Sequence, residues 1–219
     1  MYKTKIKICG LTKLKDIKNI SLFGINAMGF VFFKQSPRYI NPIKASNLIK
    51  YVSPFTIKVG LFVNQNLENI KYVLKYVQLS LLQFHGDETP EECSKIAFLT
   101  KLPFIKAIRI KKNTTSIELL NYEKKFTNSS IFFKGLLLDT FNKNYGGSGK
   151  TFNWDIIPNE IKSKIILSGG ININNISKAI KKIKPYAIDI SSGVEKKKGI
   201  KDIKKIKLLI KKINLINFK

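Results

Sequence analysis

Two short apolar runs in this chain end in groups that can move protons. Lys5-Ile6-Lys7-Ile8-Cys9-Gly10 alternates polar and apolar residues and closes on a thiol and a glycine. Gly135-Leu136-Leu137-Leu138-Asp139-Thr140 is apolar and closes on a carboxyl. A period of two marks a strand, and glycine breaks it. If both runs belong to one parallel sheet, Cys9 and Asp139 project from the same edge, where a thiol and a carboxyl make a base and an acid. Lys7 falls on the same face of its strand as Cys9 and would supply a positive field that eases ionisation of the thiol. Asp139 has the opposite requirement: as an acid it must keep its proton, which partial burial would favour.

The runs that carry these groups repeat along the chain. Strand-like segments lie at residues 5–10, 27–33, 57–63, 79–86, 104–110, 135–140, 165–170 and 187–193. Segments of helical spacing lie between them. Leu67, Ile70, Val73, Leu74 and Val77 share one helix face, as do Ile176, Ala179, Ile180 and Ile183. Ile203, Ile206, Leu209, Ile210 and Ile213 mark the last helix. Thr12, Asn66, Thr89-Pro90 and Asn172 or Asn174 mark helix starts. Eight strands alternating with helices predict an α/β fold, a single (β/α)8 TIM barrel over residues 1–219, with a disordered tail from about 214. A doubly wound open sheet is the competitor, but no G-x-G-x-x-G follows the first strand.

In a barrel, the carboxyl ends of the strands carry the chemistry. Arg38 then lies in the loop after strand two, in Ser36-Pro37-Arg38-Tyr39, and His85 ends strand four. Glycine-rich turns follow strands seven and eight, Ser168-Gly169-Gly170 and Ser191-Ser192-Gly193. Such turns expose N–H donors and let a ligand approach the backbone closely, and the last two loops are the recurring phosphate site of barrels. Arg109 ends strand five and is given no role. Cys93, in a helix after Glu91-Glu92, reads as structural; Asp189 either orients the last loop or faces inward on its strand with a buried partner.

A net charge of +26 invites a nucleic-acid reading. Arg38 and Arg109 are the only arginines among 40 basic residues, so 38 are lysines, spread along the whole chain. Arginine is the usual reader of base edges, and aromatic residues are not interleaved with the lysine clusters. The excess reads as solvated lysine that steers an anionic small molecule, not as a specific nucleic-acid surface. No run approaches the roughly 20 apolar residues of a membrane span, and no secretory leader is evident. Two cysteines do not make a disulfide framework, so a reducing, cytoplasmic setting is expected.

Lys7-Ile8-Cys9-Gly10, Gly29-Phe30-Val31-Phe32, Ser36-Pro37-Arg38-Tyr39, Val59-Gly60-Leu61-Phe62-Val63, Gln83-Phe84-His85-Gly86, Leu138-Asp139-Thr140, the Gly146-to-Trp154 segment, Leu167-Ser168-Gly169-Gly170 and Asp189-to-Glu195 occur in this order. The set resembles phosphoribosylanthranilate isomerase of tryptophan biosynthesis, over about residues 5–210. The resemblance implies an Amadori rearrangement of a phosphosugar, without cofactor or metal, in a monomer or homodimer. It implies Cys9 as general base and Asp139 as general acid. It also implies Arg38 on the anthranilate carboxylate, and Gly169, Gly170, Ser192 and Gly193 on the phosphate. Lys7 and His85 would complete the substrate site, His85 as a hydrogen bonder in the pocket wall.

Sister phosphosugar barrels fit less well. The histidine-pathway aldose isomerase uses two aspartates, whereas strand one here ends in Cys9. Indoleglycerol-phosphate synthase and the tryptophan synthase α-subunit place other acids and bases on these strand ends. A non-catalytic polyanion binder remains a reading from another class, supported by the charge alone.

Overall fold

The computed structural model describes residues 3–142 and 149–217. Its strands follow the apolar runs: β1 (Lys5–Cys9), β2 (Ala27–Val31), β3 (Ile57–Phe62), β4 (Leu81–Phe84), β5 (Phe104–Ile110), β6 (Phe133–Thr140), β7 (Ile166–Leu167) and β8 (Ala187–Ile190). They form a closed barrel in chain order, with β8 pairing back in parallel onto β1. The fold is therefore the expected (β/α)8 barrel. Most strands are shorter than the apolar runs, and residues such as Gly10, His85-Gly86 and Ser168–Gly170 follow them into the loops of one rim.

The helices are α1 (Leu14–Ser21), α2 (Pro42–Ile49), α3 (Leu67–Tyr76), α4 (Pro90–Thr100), α5 (Ser116–Ser129), α6 (Asn159–Lys162), α7 (Ile176–Ile183) and α8 (Ile203–Asn217). Thr89 and Thr115 open α4 and α5 with reciprocal capping boxes to Glu92 and Glu118, which satisfy backbone N–H groups that a helix start leaves unpaired. Asn66 caps α3 as expected. Two starts differ. α1 begins after Lys13, and the Thr12 hydroxyl donates instead to the Gly199 carbonyl. α7 begins after Asn175, while the Asn172 side chain accepts the Asn174 N–H in a turn just upstream.

The tail is also different from expectation. Ile206, Leu209, Ile210 and Ile213 keep α8 amphipathic, and the helix runs on to Asn217. There the side chain accepts the Thr4 N–H and donates to the Thr4 carbonyl, which closes the end of the barrel opposite the reactive rim. Residues 218–219, like residues 146–148 of the glycine-rich segment, lie outside the described residues.

The main core lies between strands and helices, built from Ile, Leu, Val and a row of phenylalanines including Phe84, Phe104 and Phe126. A separate small cluster of strand residues, Ile105, Ala107, Leu137, Ile166 and Ala187, packs against itself on β5 to β8. A third, Cys9, Val31, Leu61 and Val63 with Phe33, lies under the rim and gives the thiol an apolar wall. Among the described residues no helix is long and apolar enough to cross a membrane.

Candidate active site

One pocket at the carboxyl rim is lined by Cys9, Arg38, His85, Asp139, Gly169, Gly170, Asp189 and Ser192, together with Val31, Phe33 and Leu61. Lys7 and Gly193 are not on its lining. Lys7 lies one strand level below Cys9, and Gly193 sits where a side chain would strike the Ile171 carbonyl. Arg109 is elsewhere, paired with Asp87 and lying over the Phe141 ring. A roomier depression beside it already contains two matched charge pairs, Arg109–Asp87 and Lys106–Glu88.

Cys9 is buried at the end of β1, opposite Gly29 of β2 in register. Burial pushes its thiol above the ordinary value, and the nearby positive charges of Lys7 and Lys201 only partly offset it. The sequence suggested a lowered thiol. Burial is the main reason, and Asp189 on β8 adds to it, taking the Lys7 ammonium at 2.8 Å and itself opposing ionisation of the thiol. Burial alone would depress Lys7, yet Asp189 and Cys9 hold it above its ordinary value, so it stays charged.

Asp139 ends β6 with its side chain about one-fifth exposed. It accepts the Thr140 N–H on Oδ1, and its Oδ2 stands 3.3 Å from His85 Nε2. Gly169 makes this approach possible. Its φ of +80° suits glycine, and a Cβ there would come within 2.4 Å of Thr140 Oγ1 and 3.0 Å of Asp139 Oδ1.

Arg38 is buried and forked onto Glu195, with Nε and Nη2 each donating at 2.8 Å. Lys201, completely buried, donates to the same carboxylate at 2.9 Å and to the Ser191 carbonyl at 3.1 Å. Ser191 in turn donates to the Cys9 carbonyl. A single polar chain thus joins β1, the loop after β8 and the arginine. Glu195 and Lys201 belong to a hairpin, β9 (Glu195–Lys197) with β10 (Ile200–Lys201), that no apolar run in the sequence announces.

The glycine turns face the same pocket. Gly170 has its carbonyl held by the side chains of Asn172 and Asn175, which ties the loop after β7 to the start of α7. Ser192 and Gly193 open a short 3-10 turn, Ser192–Val194, where leading N–H groups lack partners within the turn. In barrel order β6, β7, β8, β1, these two loops lie between the strand of Asp139 and the strand of Cys9.

The chain as a whole has counterparts among known proteins. A family model described as N-(5'phosphoribosyl)anthranilate (PRA) isomerase matches residues 6–212. The chain belongs to this family. An N-(5'-phosphoribosyl)anthranilate isomerase of Herminiimonas arsenicoxydans is 49% identical over 210 residues, covering 96% of this chain and 92% of the relative. The crystal structure of phosphoribosyl anthranilate isomerase from Thermotoga maritima is 40% identical, with a TM-score of 0.83 over 96% of this chain and 98% of that one. Another solved phosphoribosyl anthranilate isomerase is in complex with reduced 1-(o-carboxyphenylamino)-1-deoxyribulose 5-phosphate. It is 36% identical, with a TM-score of 0.80 and the same coverage of both chains. The chain is an enzyme of the isomerase class.

The roles of three residues escaped the sequence reading: Glu195, Lys201 and Gln83. Lys201 looks like any other lysine of a lysine-rich chain. The available signal was the scarcity of acids, 14 against 40 bases, which makes every acid a candidate anchor for a buried cation. Cys93 is structural in placement, buried in α4 with its thiol pushed up to about 12 by burial. The close fit at Gly29 makes a prediction. A Cβ there would lie 2.6 Å from Cys9 Sγ, so Gly29→Ala displaces the thiol. It should cost about 1–3 kcal/mol of stability by overpacking and lower kcat about tenfold or more, measured by thermal melting and steady-state rates.

Proposed function

We propose that the protein converts N-(5'-phosphoribosyl)anthranilate to 1-(2-carboxyphenylamino)-1-deoxyribulose 5-phosphate, a step of tryptophan biosynthesis, with Cys9 as general base and Asp139 as general acid. Asp139 gives its proton to the furanose ring oxygen as the C1'–O bond breaks and the anthranilate nitrogen forms a Schiff base. Cys9, as the thiolate, takes the C2' proton, and the C2'–H electrons move toward the nitrogen to form an enolamine. Protonation at C1' and loss of the enol proton give the ketone, so substrate and product are isomers and no cofactor is consumed.

The observation that carries this reading is the shared pocket. It places Cys9 and Asp139 on strands separated by the two glycine turns, which suits a phosphosugar whose reacting carbons lie between base and acid. The loops after β7 and β8 hold the phosphate through Gly169, Gly170, Ser192 and Gly193. Arg38 keeps part of its guanidinium edge for the anthranilate carboxylate, with Glu195 fixing its orientation. Lys7 acts on Cys9 through its charge and does not touch substrate. The lysine-rich surface raises the encounter rate with this anionic substrate, which makes association faster at low salt.

The test is loss of phosphoribosylanthranilate fluorescence on addition of the purified protein. Turnover is expected. A folded protein that leaves the substrate unchanged sinks the reading.

A further inference from the structure

Gln83 lies on β4 two residues before His85, and it is completely buried. Its carboxamide nitrogen is 2.9 Å from His85 Nδ1. An amide nitrogen only donates, so Nδ1 accepts, and a neutral ring then carries its hydrogen on Nε2. Nε2 is the atom that faces Asp139 Oδ2. The other end of the amide, Gln83 Oε1, is buried without a protein partner; among the described residues only the Trp154 indole nitrogen shares that condition.

That unpaired oxygen shows what decides the orientation. Turning the carboxamide over would bring Oε1 to Nδ1 and leave the amide nitrogen unpaired, with the number of hydrogen bonds unchanged. It would also move the ring hydrogen to Nδ1 and set a bare Nε2 lone pair against the Asp139 carboxylate. Hydrogen-bond count at Gln83 is therefore neutral between the two tautomers, and once Asp139 has given up its proton the carboxylate charge breaks the tie toward Nε2–H. Coupling of this kind is reciprocal: whatever bias the carboxylate places on the tautomer, the tautomer returns to the carboxylate.

We infer that Gln83 is a positioning residue for the isomerisation, fixing the Nε2–H form of His85 so that a donor meets the Asp139 carboxylate formed when the acid gives up its proton. The inference rests on the reading of Asp139 as general acid. It gives His85 a defined part as well: a neutral donor that settles the spent acid, beside the Thr140 N–H on the other oxygen. The 3.3 Å contact is long, as such contacts often are before substrate is bound.

His85 is the only histidine of the chain, so its ring can be read without assignment. The experiment is nitrogen-15 NMR of histidine-labelled protein at about pH 8.5, above the ordinary histidine range, on wild type, Gln83→Met, Gln83→Glu and Asp139→Asn, with steady-state kinetics on each. Wild type is expected as the Nε2–H tautomer. Gln83→Met should give a tautomer mixture and Gln83→Glu the Nδ1–H form. Both should lower kcat about tenfold with KM within about twofold, a smaller loss than the ~10²–10⁴-fold attached to the acid itself. Asp139→Asn should weaken the wild-type bias. A wild-type ring protonated at Nδ1 overturns the inference, as does a folded Gln83→Met protein whose tautomer or kcat is unchanged. A wild-type protein without isomerase activity overturns instead the function on which the inference rests, and the ring spectrum still reports the tautomer.

Discussion

Cys9→Ala should lower kcat by about 10²–10⁴-fold, the range for loss of a proton-transfer group, in a protein that still folds. Cys9→Ser is the sharper test. Serine keeps the size and the hydrogen-bonding capacity but ionises far less readily, so if Cys9 works as a thiolate, the serine variant loses nearly as much as the alanine variant. If Cys9 only fills the apolar wall with Val31, Leu61 and Val63, serine retains most of the activity. The pH dependence has a definite sign. Burial pushes the thiol up, so the thiolate is the minor form at neutral pH, and kcat/KM should rise with pH through the neutral range. Lys7→Met removes the nearest positive charge and leaves Asp189 beside the thiol. The rising limb should then move further toward alkaline pH. Asp139→Asn should match Cys9→Ala in magnitude, because asparagine keeps the size and its carbonyl still accepts the Thr140 N–H, but it has no proton to give.

The parts of this molecule that the sequence discloses are those whose information is local. Each barrel strand is a short apolar run, each rim group ends such a run, and the glycines that follow are where the backbone must turn. Cys9, Asp139, Gly169 and Gly170 can be placed from residues within about five positions of themselves. The parts it conceals depend on partners far along the chain. Lys7 and Asp189 are 182 residues apart, and nothing near Lys7 says that its charge is matched from β8. Lys106 and Lys201 are buried while most lysines are solvated, and only Glu88 and Glu195 distinguish them. Gln83 reads as a polar strand residue until the ring it meets, His85, is known to face Asp139. The error about the Cys9 thiol has this origin: strand parity gave the right neighbour, and burial with a distant aspartate reversed the outcome.

Glu195→Gln should be the most destabilising change in the site. One carboxylate balances two buried cations here, Arg38 through both oxygens and Lys201 through Oε1. Removing one partner of a buried ion pair costs about 3–5 kcal/mol, because the remaining charge is left uncompensated. For a chain of this length that is a fall in Tm of roughly 10 °C. The released guanidinium should also raise KM more than it lowers kcat, since Arg38 is assigned to binding and not to proton transfer. Both limbs of the stability–pH profile test the assignment. Burial alone would raise the Glu195 carboxyl, but Arg38 and Lys201 hold it below the ordinary value of 4.5. Its contribution in the wild type is therefore complete above 4.5 and is lost as pH falls through the lower folded value. Glu195→Gln has no such group to titrate, so its acid limb should be flatter. Lys201 behaves in the opposite direction. Burial holds its ammonium below 10.5 even with Glu195 present, and without Glu195 it falls further. The unfolded chain then binds more protons than the folded one in the alkaline range, so the variant should regain stability as pH rises toward 10.5. Urea unfolding of both proteins across pH measures this, and a variant that stays as stable as wild type at neutral pH would show that the buried cations do not depend on Glu195.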